Sequence, residues 1–117
     1  MIRVKRIYEP AADDDSYRVL VDRIWPRGVS REQARLDEWA KELAPSTELR
    51  RWFAHDPKKF AEFRRRYDDE LAGQSDKLSE LRERGREGTV TLLFGARDTE
   101  HNNAVVLAEV LAEPAHP

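Results

Sequence analysis

Two strand-like apolar runs, one centred on Val19-Leu20-Val21 within residues 17–24 and the other Thr89-Val90-Thr91-Leu92-Leu93-Phe94, are separated by more than sixty residues that read mostly as helix. A strand, helical crossover, strand order favours parallel pairing through a right-handed connection. Three consecutive apolar residues at 19–21 make both strand faces apolar, as inside a sheet covered on two sides. Trp25-Pro26 ends that strand, since proline has no N–H for a ladder, and Gly28 permits the turn after it. Residues 2–8, apolar at 2, 4, 7 and 8, predict a third short strand with one polar face. The eight-residue loop 9–16 joining it to the next strand allows antiparallel pairing or a simple turn. The expected fold is a small α/β sandwich with a parallel or mixed sheet of three or four strands and about five helices. It forms one domain over residues 1–112, with 113–117 as a tail.

Between the strands, Ser30-Arg31-Glu32-Gln33 has the spacing of a capping box. Leu36, Trp39, Ala40 and Leu43 continue on one helical face, which predicts a helix stopped by Pro45. Ser46 then caps a short helix presenting Leu49, Trp52 and Phe53. Asp56 and Pro57 start the next helix, with Phe60, Phe63, Tyr67 and Leu71 as its apolar stripe and Gly73 at its end. That aromatic row reads as core, and Arg64-Arg65-Arg66 reads as a solvated face balanced by Asp68, Asp69 and Glu70. Ser75 or Asp76 opens another helix, with Leu78 and Leu81 inward and an end near Gly85 and Gly88. A last helix, apolar on most of its surface, runs to Leu111. Asp13-Asp14-Asp15 is expected to be a solvated acidic turn, because nothing nearby completes a metal ligand set.

Composition narrows the function classes. Apolar residues make up 39% and charged residues 38% of 117, which implies a lean core under a heavily charged surface. A net charge of -2 and a pI near 5.9 argue against a protein that coats nucleic acid, although a local basic patch is compatible with them. The absence of cysteine excludes disulfides, thiolate zinc sites and thiol nucleophiles. No signal-peptide h-region and no run near the ~20 apolar residues of a membrane span is visible, so a cytoplasmic protein without membrane contact is expected. Ser46 lacks the Gly-x-Ser-x-Gly elbow, and no Walker or Rossmann glycine pattern occurs, so no cofactor is expected.

Parallel pairing places the carboxyl ends of strands 17–24 and 89–94 at one sheet edge, where open α/β sheets bind ligands. Residues 22–28 would then face residues 95–103 across a crevice. The second stretch, Gly95-Ala96-Arg97-Asp98-Thr99-Glu100-His101-Asn102-Asn103, opens on glycine and leads into a helix N-terminus, a combination suited to an anion. Arg23, Arg27 and Arg97 are candidates to fork onto a phosphate or carboxylate; alternatively Arg23 or Arg97 pairs with Asp22 or Asp98. Asp22 and Asp98 offer a carboxylate pair for acid–base work, or Asp98 or Thr99 only caps the last helix. His101, expected on that helix's first turn, would have the neutral imidazole favoured by the dipole and could act as a base or an acceptor. Asn102 and Asn103 can meet a ligand or satisfy loop backbone. Trp25 can wall the crevice, whereas Trp39 and Trp52 read as core. His55 reads as a helix-junction residue bonded to backbone. With Asp98 the two histidines lack the spacing of a metal pair on one helix, so no metal is expected.

Four motifs carry a family resemblance: Val21-Asp22-Arg23-Ile24-Trp25-Pro26-Arg27-Gly28, Ala44-Pro45-Ser46-Thr47-Glu48-Leu49-Arg50, Trp52-Phe53-Ala54-His55-Asp56-Pro57, and Thr91-Leu92-Leu93-Phe94-Gly95-Ala96-Arg97-Asp98 with His101-Asn102-Asn103-Ala104. In this order, and over nearly the whole chain, they resemble the short, YeaO-like branch of the DUF488 family. The resemblance implies a bacterial, cytoplasmic domain and assigns no activity or catalytic residues. Longer relatives carry cysteine after the corresponding last strand; here Gly95 and Asn102 or Asn103 occupy that region, so thiol chemistry does not carry over. Three functional readings are compatible with these residues. The first is a site for an anionic small molecule at the sheet edge. The second is a nucleic-acid or protein accessory domain using Arg50-Arg51, Arg64-Arg65-Arg66, Arg82, Arg84 and Arg86, and the third is a non-catalytic structural or interaction protein.

Overall fold

The structure, a computed structural model, describes residues 1–112, so the tail expected at 113–117 lies outside the described residues. Strands β1 (Ile2–Arg6), β2 (Tyr17–Leu20), β3 (Glu38–Trp39) and β4 (Val90–Phe94) form one sheet, every pair parallel, in the order β1-β4-β2-β3. Helices α1 (Arg31–Ala34), α2 (Thr47–Phe53), α3 (Phe60–Leu71), α4 (Ser75–Glu87) and α5 (Asn103–Ala112) accompany it. The fold is therefore α/β with an all-parallel sheet. β1 and β2 do not pair with each other, because β4 lies between them.

Strand alternation sorts the side chains to two unlike faces. Val19, Val21, Val90, Leu92 and Phe94 point to the main core, where they meet Leu49 and Phe53 of α2, Phe63 and Tyr67 of α3, Leu81 of α4, and Val106 and Leu107 of α5. The expected α3 stripe is all buried, and Tyr67 donates its hydroxyl to the Leu43 carbonyl. α4 passes through Gly85, where a Cβ would come within 2.7 Å of Ile2 Cδ1, so glycine lets this helix seat close against β1.

The opposite face carries Leu20 and Leu93 against Ile7 and Ala34, with Trp25, Val29, Leu36 and Trp39 at its margin. Polar residues share this face, and they correct one expectation. Asp15 is not a solvated acidic residue; it is fully buried in a 3-10 turn lying against the sheet. Its carboxylate takes Arg18 Nη1 at 2.5 Å, Lys5 Nζ at 3.0 Å and the Ala12 N–H at 3.0 Å. Arg18 gives its remaining donors, Nε and Nη2, to the Ala34 carbonyl, and Thr91 donates to the Asp15 carbonyl at 2.7 Å. Burial by itself would raise the Asp15 carboxyl, but these hydrogen bonds and cations outweigh it and hold it below the usual range. A saturated ion cluster thus covers the part of the sheet that no long helix protects.

The helix expected from residue 30 to Pro45 is a second correction. Ser30 and Gln33 do form the capping box, but α1 ends after one turn because Arg35 adopts the left-handed conformation, φ 46°. Leu36, Trp39 and Ala40 then belong to an extended segment. The outer edge of β2 would otherwise be bare; the Asp37 N–H reaches the Arg18 carbonyl and the Ala40 N–H the Leu20 carbonyl, both at 2.9 Å. Edge pairing outweighed helical periodicity.

Candidate functional site at the carboxyl edge of the sheet

After β2 the chain moves to the face that holds α1, and after β4 it moves to the face that holds α5. The two neighbouring strand ends therefore diverge, and a crevice opens between them, as at the switch point of open α/β sheets. It encloses about 260 Å³. The β2 exit contributes Asp22, Arg23, Ile24, Trp25 and Pro26, and the β4 exit Gly95, Ala96, Asn102 and Asn103. Tyr8, Pro45, Arg50, Phe53, His55 and Phe63 complete the lining.

Asp22 joins the two sides. Its Oδ2 accepts the Gly95 N–H at 2.9 Å, and its Oδ1 accepts the Asn103 amide at 3.3 Å, which also donates to the Val21 carbonyl at 2.9 Å. Removal from water pushes the Asp22 carboxyl above the usual range, partly offset by those two hydrogen bonds and by nearby His55 and Arg50. Arg23 turns inward to the loop before α2, giving Nε to the Pro45 carbonyl at 3.2 Å and Nη2 to the Ala44 carbonyl at 3.5 Å. Trp25 is fixed by its indole N–H on the Val29 carbonyl at 2.7 Å, by an edge contact with Trp39 and by the Arg31 guanidinium over its ring. Trp39 in turn donates to the Asp22 carbonyl at 2.7 Å.

Of the remaining candidates, Arg27, Arg97, Asp98 and His101 lie off this lining. Arg27 and Arg97 are exposed. Asp98 does not cap α5; it caps the preceding turn, accepting the Glu100 and His101 N–H groups at 2.9 and 3.0 Å, while its Oδ2 meets His101 Nδ1 at 2.9 Å. These hydrogen bonds hold the Asp98 carboxyl below its usual range. His101 precedes α5 instead of sitting on its first turn, and its ring stands edge-on to Phe60. The cap of α5 is Asn102, buried, with Oδ1 accepting the Val105 N–H at 2.9 Å and Nδ2 donating to the Asp98 carbonyl at 2.9 Å. Asp22 and Asp98 are thus not lining one cavity.

Sequence reasoning did not place Arg50, Tyr8, Phe53 or Phe63 at this crevice. Arg50 has a buried Nε without a hydrogen-bond partner among the described residues. Its position was readable in one respect, since Arg50 and Phe53 are three apart on α2 and so share a face. Ala54 and His55 are both left-handed, φ 47° and 58°, and this double bend ends α2 and brings His55 to the rim. The exposed arginines elsewhere are mostly matched: Arg64 with Glu109, Arg65 and Arg66 with Glu62, Arg84 with Glu80, and Arg86 with Glu83. Among the described residues no cluster of three or more His, Asp or Glu could hold a metal, and no helix is long and apolar enough to cross a membrane.

Fold and crevice together define a small parallel α/β protein with its cavity at the strand carboxyl ends. Within that class the chain belongs to the DUF488 family: the family model described as the inactive DUF488-N3 subclade matches residues 1–116. It is 44% identical over 110 residues to the uncharacterised protein YeaO of Escherichia coli K12, covering 94% of this chain and 96% of that one. It is likewise 44% identical over 110 residues to the uncharacterised protein Rv3073c of Mycobacterium tuberculosis H37Rv, covering 94% and 92%. No solved structure gives a significant match.

Proposed function

We propose that this protein binds an anionic small molecule in the crevice between residues 22–26 and 95–103, and that it holds the molecule without transforming it. The observation that carries this is Arg50, which lines the cavity with a guanidinium that no described residue engages by hydrogen bond or ion pair, whereas Arg23 is spent on the Pro45 and Ala44 carbonyls. The Nε itself is shielded, so a ligand in the cavity would meet the terminal guanidinium N–H groups, and charge-assisted hydrogen bonds from a guanidinium to an anion are among the stronger ones. Binding without chemistry is supported by how the reactive groups are used. Asp22 is engaged by Gly95 and Asn103, the Asp98–His101 pair lies off the lining, and no thiol exists. The word "inactive" in the description of the matching subclade agrees with this reading.

Calorimetric titration of wild type, Arg50→Ala and Arg97→Ala against phosphates, nucleotides and carboxylates tests it. Binding by at least one anion, weakened tenfold or more in Arg50→Ala and unchanged in Arg97→Ala, is expected. No binding by any member of the panel would sink the proposal.

A further inference from the structure

We infer that the ligand is a small monocarboxylate with a flat apolar body, its carboxylate on Arg50 and its body between Tyr8, Trp25, Phe53 and Phe63. This rests on the crevice being an anion site and narrows what that site accepts.

The N–H donors near the crevice are already committed. A phosphate cradle needs several backbone N–H groups left free around a glycine turn or helix N-terminus. Here side chains take them: Asp22 takes Gly95, Asp98 takes Glu100 and His101, and Asn102 takes Val105. The segment that looks like an anion loop in sequence has satisfied itself, and recognition falls to a guanidinium.

Charge at the cavity is limited as well. Two arginines line it, but Arg23 has turned donors to the Pro45 and Ala44 carbonyls, while the Arg50 guanidinium is engaged by no hydrogen bond or ion pair among the described residues. Asp22 lines the same space, and its carboxyl would repel a dianion whenever it is ionised. One cation with a donor to spare, beside a carboxyl group, suits a single negative charge. A carboxylate also matches the guanidinium fork geometrically.

The wall is aromatic. Phe53 and Phe63 stack at 4.3 Å, Trp25 is held rigid, and Tyr8 stands at the mouth. Of the three exposed large hydrophobic residues among those described, Tyr8 at 45% and Ile24 at 56% both belong to this cavity. Apolar surface concentrated at one cleft marks a place for an apolar partner. At 260 Å³ the cavity falls below the ~300–1,000 Å³ usual for drug-sized ligands, which limits the body to one or two rings.

The experiment follows the Trp25 indole N–H signal by ¹H–¹⁵N NMR during titration with benzoate, indole-3-acetate, acetate, benzamide and inorganic phosphate. Benzoate or indole-3-acetate should shift it saturably and at least tenfold more tightly than acetate, benzamide or phosphate. Arg50→Gln should weaken the aromatic carboxylates tenfold or more, and Tyr8→Ser, altered at an exposed residue, should weaken them several-fold with the fold intact. Tight phosphate binding lost in Arg50→Gln would overturn this inference and leave the anion site standing. Equal affinity for acetate and the aromatic acids would overturn the apolar half. Silence with every anion would remove both.

Discussion

Asp22 Oδ2 accepts the Gly95 N–H at 2.9 Å, and this one bond fastens the chain leaving β2 to the chain leaving β4. Divergence of the two exits creates the cavity, and Asp22 limits how far they diverge. The carboxyl is raised by burial, so the folded state holds its proton more tightly than the unfolded chain. For a raised acid, stability is fully present below the unfolded value and is lost as pH rises through the folded one. Asp22→Asn retains an acceptor for Gly95 and abolishes that titration. Urea unfolding of both proteins as pH rises from 4 to 7 should show the wild type losing ground to the variant, and parallel curves would contradict the assignment.

Asp15 has the opposite sign. Its carboxyl lies below the usual range, so its stabilising contribution is present above the unfolded value of about 3.9 and is lost as pH falls through the lower folded value. Arg18, 5% exposed at its side chain, would be left without its carboxylate in Asp15→Ala. Removing one partner of a buried ion pair costs about 3–5 kcal/mol. Denaturant midpoints at pH 7 measure this, and a loss under ~1 kcal/mol, the scale of an exposed pair, would mean the cluster is screened and not buried.

Ala54 ends α2 in a left-handed conformation that glycine adopts without a Cβ penalty, and its side chain is exposed. Ala54→Gly should stabilise by about 0.5–1 kcal/mol, since it relieves that strain without loss of packing. A lower thermal midpoint in the variant would count against the strained bend.

Tyr67 is fully buried, and its hydroxyl donates to the Leu43 carbonyl. Tyr67→Phe keeps the ring and strips the carbonyl of its partner, at a cost of about 1–3 kcal/mol.

The parts of this molecule that were legible in sequence are those where local pattern and tertiary demand agree. The apolar runs that form β2, which ends at Leu20 short of the expected residue 24, and β4 are strands because both faces are covered, and the α3 stripe is core because its 3.6-residue spacing meets a sheet. Legibility failed where a long-range partner decided. Trp39 keeps helical spacing with Leu36 and Leu43, yet an unpaired β2 edge draws it into β3. Asp15 reads as a water-loving turn until Lys5 and Arg18 are known to converge on it. The crevice was legible as two strand exits at one sheet edge, from parallel pairing alone. Arg50 was legible only as sharing the α2 face of Phe53; that this face opens on the crevice depended on long-range packing.

The position of β4 has a consequence for how the chain is made. It is the last of the described strands in sequence and the one inserted between β1 and β2, so until residues 90–94 exist β1 has no lateral partner among the described strands. β2 and β3 can pair without it, but β1 joins the sheet only once β4 is available, and that pairing closes a loop of more than eighty residues. The crevice, built from the segments that leave β2 and β4, comes into existence in that same late event.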